Sequence, residues 1–153
     1  MLNFAYGSNM SREPMRQHCP GAQMIGTATL RRHRFIIMAN GYASVVPASS
    51  SEVHGILWRV TPRDLVALDA YEDVAGGLYR RVMRPVIHNS TTVTALVYIG
   101  CEPREGAPRK GYMELVLRSA REAGLPGDYV EGLERLAPGR FNSNSASGTG
   151  DRT

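Results

Sequence analysis

Apolar and polar positions along this chain change places in short runs, and the runs have two different periods. Residues 2–6 (LNFAY) form an apolar run that ends at Gly7, the pattern of a strand entering a turn. Ser11-Arg12-Glu13-Pro14 supplies a capping residue and a first-turn proline, which predicts a short helix to about His18. From Met24 to Asn40 the residues Ile25, Thr27, Thr29, Phe35, Ile36 and Ile37 surround the basic group RRHR at 31–34, predicting two strands or one long bent strand. Tyr42 to Val46 and Val53 to Val60 read as two more strands, joined by a loop over PASSSE at 47–52.

The period then changes. Thr61 is a good N-cap, Pro62 suits the first helical position and Asp64 suits the first turn, so a helix is predicted to about Tyr71 or Glu72, stopping before Gly76-Gly77. Leu78 to His88 and Thr91 to Ile99 read as a hairpin turning at Asn89-Ser90. Met113, Val116, Leu117, Ala120 and Ala123 form a helical stripe that stops at Gly124-Leu125-Pro126. Tyr129, Val130, Leu133 and Leu136 form another, closed by Pro138-Gly139. This order does not alternate strand and helix, so a mixed α+β domain is expected over residues 1–140 rather than a doubly wound sheet. The small, polar segment 141–153 is expected to be a disordered tail.

Composition narrows the field. The 153 residues are 42% apolar and 21% charged, an ordinary globular balance that allows a core without disulfides or a metal. No apolar run reaches the ~18 residues of a membrane span, and the start MLNFAYGSNM does not read as a signal peptide. The two cysteines, Cys19 and Cys101, have no CxxC spacing and read as reduced thiols in the cytoplasm. The charge of +4 comes from arginines spread along the chain, with no basic patch interleaved with aromatics, so nucleic acid is not the expected partner. The sequence carries no signal for an oligomeric state.

Two constellations could carry chemistry. In Tyr6-Gly7-Ser8-Asn9 a strand ends, Gly7 permits a tight or positive-φ turn, and small polar residues lead into a helix. Such a turn aims successive main-chain N–H groups at one spot, suited to a carboxylate, a phosphate or a developing oxyanion. An ordinary capped turn has the same sequence. In the helix 61–72, Leu65, Leu68 and Glu72 lie at i, i+3 and i+7, so the core-facing stripe ends in a carboxylate. Burial and the negative end of the helix dipole both raise a carboxyl above its ~4.3 reference, which suits acid–base work near neutrality. The alternative is a solvated Glu72 beyond the helix end, and Asp69 and Asp73 compete for the role. The four histidines have no metal-ligand spacing, so no metal or cofactor is expected. Ser8 has no base beside it and reads as a binding or capping residue, not a nucleophile. Tyr79 and Tyr112 could be site hydroxyls or half-buried packing. His18-Cys19 reads as a structural pair.

FAYGSNM at 4–10, LDAYEDVAGGLYRR at 68–81 and AREAGLPGDYVEGL at 120–133 together resemble the gamma-glutamylcyclotransferase-like family, which includes AIG2-like proteins and butirosin-pathway cyclotransferases. The matches fall in the family's order and span nearly the whole chain except the tail. The resemblance implies a mixed barrel flanked by helices, with a cavity at one end. It implies that Tyr6, Gly7, Ser8 and Asn9 bind a gamma-glutamyl group, mainly through main-chain atoms, and that Glu72 is the catalytic acid–base. It also implies that Tyr79 and Tyr112 line the pocket. The expected reaction is attack of the substrate's own α-amine on its γ-carbonyl, giving 5-oxoproline and a released amine or amino acid, with no cofactor. Asp73 stands where glutathione-linked members tend to have Gly, which leaves the released group open. A non-catalytic binding domain on the same scaffold is the rival reading.

Overall fold

Five strands close on themselves into a barrel in the computed structural model, which describes residues 1–137. They are β1 (Leu2–Ala5), β2 (Gln23–Ile37), β3 (Ala43–Arg59), β4 (Tyr79–His88) and β5 (Thr91–Gly100), in the spatial order β1-β3-β2-β4-β5. Neighbours are antiparallel except β1 and β5, which run parallel where the barrel closes. At that seam Asn3 is opposite Leu96, and its side-chain Nδ2 donates to the Leu96 carbonyl at 3.2 Å. Closure removes the sheet edges that would otherwise expose unpaired main-chain groups. It depends on register between distant segments, so the strand pattern alone did not reveal it.

Between Met24 and Asn40 the chain forms one long strand, β2, with register shifts between Met24 and Gly26 and between Arg31 and His33. The loop expected over residues 47–52 is not there: β3 runs unbroken through it. On β2 the partners jump from Arg31 opposite Glu52 to His33 opposite Pro47, so residues 48–51 bulge opposite Arg32 alone, whose φ is +60°. Pro47 stands at the margin of the bulge and residues 49–52 face water, which is why the segment has loop composition while staying extended.

Helix α1 (Arg12–His18) follows the first turn, and α2 (Pro62–Tyr71) connects β3 to β4. α2 starts with a reciprocal cap: the Asp64 N–H donates to Thr61 Oγ1 at 3.1 Å, and the Thr61 N–H donates to Asp64 Oδ2 at 3.0 Å. Asp64 is 2% exposed and also accepts from the Gly21 N–H at 3.3 Å, tying α2 to the end of α1. The β4–β5 hairpin turns at Asn89 (φ +48°) and Ser90 (φ +64°), the left-handed pair that a two-residue hairpin needs. Helices α3 (Tyr112–Glu122) and α4 (Gly127–Glu134) bury Met113, Val116, Leu117 and Ala120, and Val130 and Leu133, respectively. The 141–153 tail, the last residues of the expected domain and the Pro138-Gly139 closure lie outside the described residues. No described helix is long and apolar enough to cross a membrane. Arg34 pairs with Glu105 at 2.9 Å, Arg104 with Glu102 at 3.0 Å, Arg121 with Glu134 at 2.9 Å, and Arg81 with Asp69, so part of the basic charge is locally neutralised.

Close approach of β1 to β3 fixes where β1 ends. A Cβ on Gly55 would lie 2.3 Å from the Ala5 carbonyl oxygen and 3.0 Å from the Phe4 ring. Gly55→Ala is therefore expected to destabilise the protein by about 1–3 kcal/mol through overpacking. Thermal melts check this, and an unchanged melting temperature would contradict so tight a crossing.

Candidate active site

β1 delivers the chain into a 3-10 turn, Ser8–Met10, in which the Met10 N–H bonds to the Gly7 carbonyl at 3.1 Å. Trp58 Nε1 donates to the Asn9 carbonyl at 3.0 Å and pins the turn to β3. Among the described residues the N–H groups of Gly7, Ser8 and Asn9 have no main-chain acceptor. Gly7 is not in the left-handed region: its φ is −118°. The positive-φ turn offered as one option is thus not used. What requires glycine is space, since a Cβ here would sit 2.9 Å from Tyr112 Oη and 3.6 Å from Ala43 Cβ.

The last turn of α2 carries the carboxylate to the same place. The Glu72 N–H still bonds to the Leu68 carbonyl at 2.8 Å, with φ −83° and ψ 0°, so Glu72 stays on the stripe that begins at Leu65 instead of leaving for solvent. Its Oε1 accepts from Asn9 Nδ2 at 3.1 Å. Burial pushes the Glu72 carboxyl up from 4.5 to about 7. The competing carboxylates lie elsewhere. Asp69 accepts two hydrogen bonds from Arg81 and one from the Tyr98 hydroxyl at 2.8 Å. The Arg81 guanidinium, more than the tyrosine, holds its carboxyl below the usual range, so it stays ionised. Asp73, at φ +50°, accepts from the Gly76 N–H at 3.1 Å in an exposed turn.

One cavity is lined by all seven residues singled out from the sequence: Tyr6, Gly7, Ser8, Asn9, Glu72, Tyr79 and Tyr112. Glu72 is the only one of the three carboxylates on its wall. The Tyr6 hydroxyl donates to the Tyr98 carbonyl and the Tyr79 hydroxyl donates to the Ala43 carbonyl. Burial, reinforced by nearby negative charge including that of Glu72, raises both phenols well above their ordinary value, so both are neutral at pH 7. Tyr112 Oη accepts from the Ala43 N–H at 3.4 Å, and burial raises that phenol as well. The Ser8 hydroxyl sits 3.2 Å from Tyr71 Oη, with no imidazole or carboxylate beside it to activate it.

Sequence reasoning missed Asn3, Ala43 and Tyr98, which share the cavity wall. Asn3 had a signal, being the one polar residue inside an apolar strand run; Ala43 and Tyr98 are brought in only by barrel closure. Cys19 and His18 turn to different partners: the buried Cys19 thiol donates to the Asp64 carbonyl at 3.6 Å, while His18 stacks on Tyr71 with ring centres 4.0 Å apart. Burial, then the Asp64 charge, lifts the Cys19 thiol to about 11, too high for a nucleophile at neutral pH. Among the described residues no three His, Cys, Asp or Glu side chains are grouped to hold a metal.

A family model described as the AIG2-like family matches residues 52–133. The chain is 25% identical over 151 residues to the gamma-glutamylcyclotransferase of Homo sapiens, covering 92% of this chain and 80% of that protein. It is 37% identical over 73 residues to AIG2-like protein D of Arabidopsis thaliana, covering 46% and 48% of the two chains. A solved structure of a gamma-glutamyl cyclotransferase superposes with a TM-score of 0.84 at 25% identity, covering 90% of this chain and 88% of that one.

Keeping Glu72 half-buried in the cavity wall has a cost that depends on pH. Below about pH 4.5 the carboxyl is protonated in both folded and unfolded chains. From there to about 7 the unfolded chain gives up the proton and the folded one keeps it, so stability falls as pH rises and then levels off. Glu72→Gln is exempt and should be more stable than wild type at pH 8 by on the order of 1–3 kcal/mol, with the gap closing toward pH 4.5. Melts across that range check it; a gap independent of pH would contradict the assigned burial.

Proposed function

The chain belongs to the AIG2-like family, and from that premise we propose that it is an enzyme of the gamma-glutamylcyclotransferase type, acting on a small gamma-glutamyl compound. The observation that carries the reading is the meeting, in one cavity, of a carboxyl whose pKa is about 7 and a turn whose Gly7 and Asn9 N–H groups have no main-chain acceptor among the described residues, while the Ser8 N–H faces Tyr112 Oη. A domain that only binds has no need of a carboxylate held near neutral pKa at the expense of stability.

The chemistry follows from those groups. The substrate binds with its γ-glutamyl chain bent so that the α-nitrogen lies against the γ-carbonyl carbon. Glu72 takes a proton from the α-ammonium. The freed nitrogen lone pair forms the new C–N bond, and the carbonyl π electrons move to oxygen. Main-chain N–H groups at Gly7, Ser8 or Asn9 stabilise that oxyanion. As the tetrahedral centre collapses, the original C–N bond breaks and the protonated Glu72 supplies the proton that the leaving nitrogen needs, while the second hydrogen on the ring nitrogen passes to the released amine or to water and leaves a neutral lactam. The products are 5-oxoproline and an amine or amino acid. The substrate supplies the nucleophile, so Ser8 is not asked to attack and no cofactor is invoked.

A screen of gamma-glutamyl compounds with 5-oxoproline as the readout tests the activity. In the active pair, Glu72→Gln should lower turnover by on the order of a hundredfold or more while the fold is kept. Near-normal turnover in that variant would remove Glu72 from the mechanism. Gly7→Val should abolish activity, because its branched side chain would occupy the space now taken by Tyr112 Oη, 2.9 Å from the Cβ position. Ser8→Ala keeps the main-chain donors and should retain a measurable fraction of turnover. If Ser8→Ala were as inactive as Glu72→Gln, a covalent acyl-enzyme through Ser8 would replace direct cyclisation.

A further inference from the structure

Four tyrosines line the cavity, and three of them have already given their hydroxyl protons away. Tyr6 donates to the Tyr98 carbonyl, Tyr79 to the Ala43 carbonyl, and Tyr98 to Asp69 Oδ1 at 2.8 Å. A phenol has one proton, so none of these three has one left for a ligand. Tyr112 is held in the opposite sense. Its Oη accepts from the Ala43 N–H at 3.4 Å and faces the Ser8 N–H. Among the described residues its own proton has no acceptor. Ala43 thus sorts two of the rings, taking the Tyr79 proton on its carbonyl and turning its N–H toward Tyr112. Tyr112 Oη is pressed against the turn, 2.9 Å from where a Cβ on Gly7 would lie, and it shares the cavity with Glu72. N–H groups aimed at a hydroxyl oxygen draw electron density from it and make its O–H a stronger donor. Burial holds the phenol above its ordinary value, so the proton stays in place at pH 7.

Resting on the cyclotransferase reading of this site, we propose that Tyr112 is a further catalytic residue, whose hydroxyl donates a hydrogen bond to the γ-carbonyl oxygen as that oxygen becomes the oxyanion. The Ser8 N–H then acts on the reaction through Tyr112, and the Gly7 and Asn9 N–H groups remain for the substrate itself. No proton changes hands in this step. The phenol keeps its proton, the hydrogen bond strengthens as charge builds on the oxygen, and it weakens again when the tetrahedral centre collapses. The same contact gives Gly7 its catalytic meaning, because a side chain there would displace the donor.

Kinetics on Tyr112→Phe test the assignment first. The variant should lose on the order of a hundredfold in kcat, with KM changed by no more than about threefold. A kcat within about threefold of wild type would overturn the proposal. A γ-thioamide substrate separates catalysis from packing, because its sulfur accepts hydrogen bonds weakly. With amine release as the readout, the amide-to-thioamide ratio of kcat/KM should be at least about tenfold smaller in Tyr112→Phe than in wild type. An unchanged ratio would mean that the ring only shapes the cavity. Binding of L-2-amino-4-phosphonobutyrate, whose tetrahedral phosphonate replaces the γ-carboxyl, needs no turnover. Calorimetry at pH 6, where Glu72 is mostly protonated, should show it binding at least about tenfold more weakly to Tyr112→Phe than to wild type. Equal affinities would contradict the donor role. Should Tyr112→Phe fail to fold, carbon-13 NMR of the tyrosine Cζ atoms in the wild-type protein takes its place. The phosphonate should shift the Tyr112 signal more than those of Tyr6 and Tyr79, and an unmoved Tyr112 signal would overturn the proposal. A protein that binds the phosphonate through Tyr112 and forms no 5-oxoproline from any gamma-glutamyl compound keeps the donor and loses the cyclotransferase reading. One that forms 5-oxoproline equally well as Tyr112→Phe does the reverse, so the two fail separately.

Discussion

A carboxyl group that would rather be in water is held in a protein cavity because the helix bearing it cannot move away. α2 is fastened at both ends. At its start, the reciprocal Thr61–Asp64 cap and the buried contact of Asp64 with Gly21 fix the first turn. Near its end, Asp69 grips Arg81 on β4 and the Tyr98 hydroxyl on β5. Glu72 follows Asp69 by three residues, so a helix clamped there has little freedom to swing its last turn into solvent. The Asp69–Arg81 pair is partly exposed and adds little stability as an isolated ion pair. Its effect is geometric: it holds Glu72 where desolvation raises its carboxyl from 4.5 to about 7.

The other half of the site comes from the first strand and the turn after it. β1 is only four residues long, yet it closes the barrel between β3 and β5. Its short length places the Tyr6–Asn9 turn directly over the end of α2, where Asn9 meets Glu72. Gly55 lets β1 come close to β3, and Gly7 leaves room for Tyr112 Oη. The barrel thus does for the turn what the clamp does for the helix. It brings donors and a base together in a fixed geometry, so little reorganisation is needed when charge develops.

Much of this was legible in the residues because local rules decided it. The cap of α2 was readable at Thr61-Pro62-Arg63-Asp64, and the hairpin turn at Asn89-Ser90. The helical spacing of Leu65, Leu68 and Glu72 pointed the carboxyl inward, although the same spacing left Asp69 as a competitor. Only the tertiary contact with Arg81, twelve residues away, separates the two: it stabilises the charge on Asp69, whereas burial destabilises the charge on Glu72. PASSSE misled because exposure, not chain reversal, selects its residues. Gly7 was read through its backbone freedom, while its neighbours show that volume is what matters. Barrel closure and the places of Asn3 and Tyr98 depend on register between distant strands, which no local pattern encodes.

The site turns on the protonation of one side chain, which is measurable directly. A carbon-13 NMR titration of the Glu72 carboxyl in the ligand-free protein, assigned by the signal lost in Glu72→Gln, reports its midpoint. Burial within the cavity predicts a midpoint near 7. A midpoint near 4.5, the ordinary value for a glutamate, would mean that water reaches Glu72 freely and that it is not the poised acid–base described above.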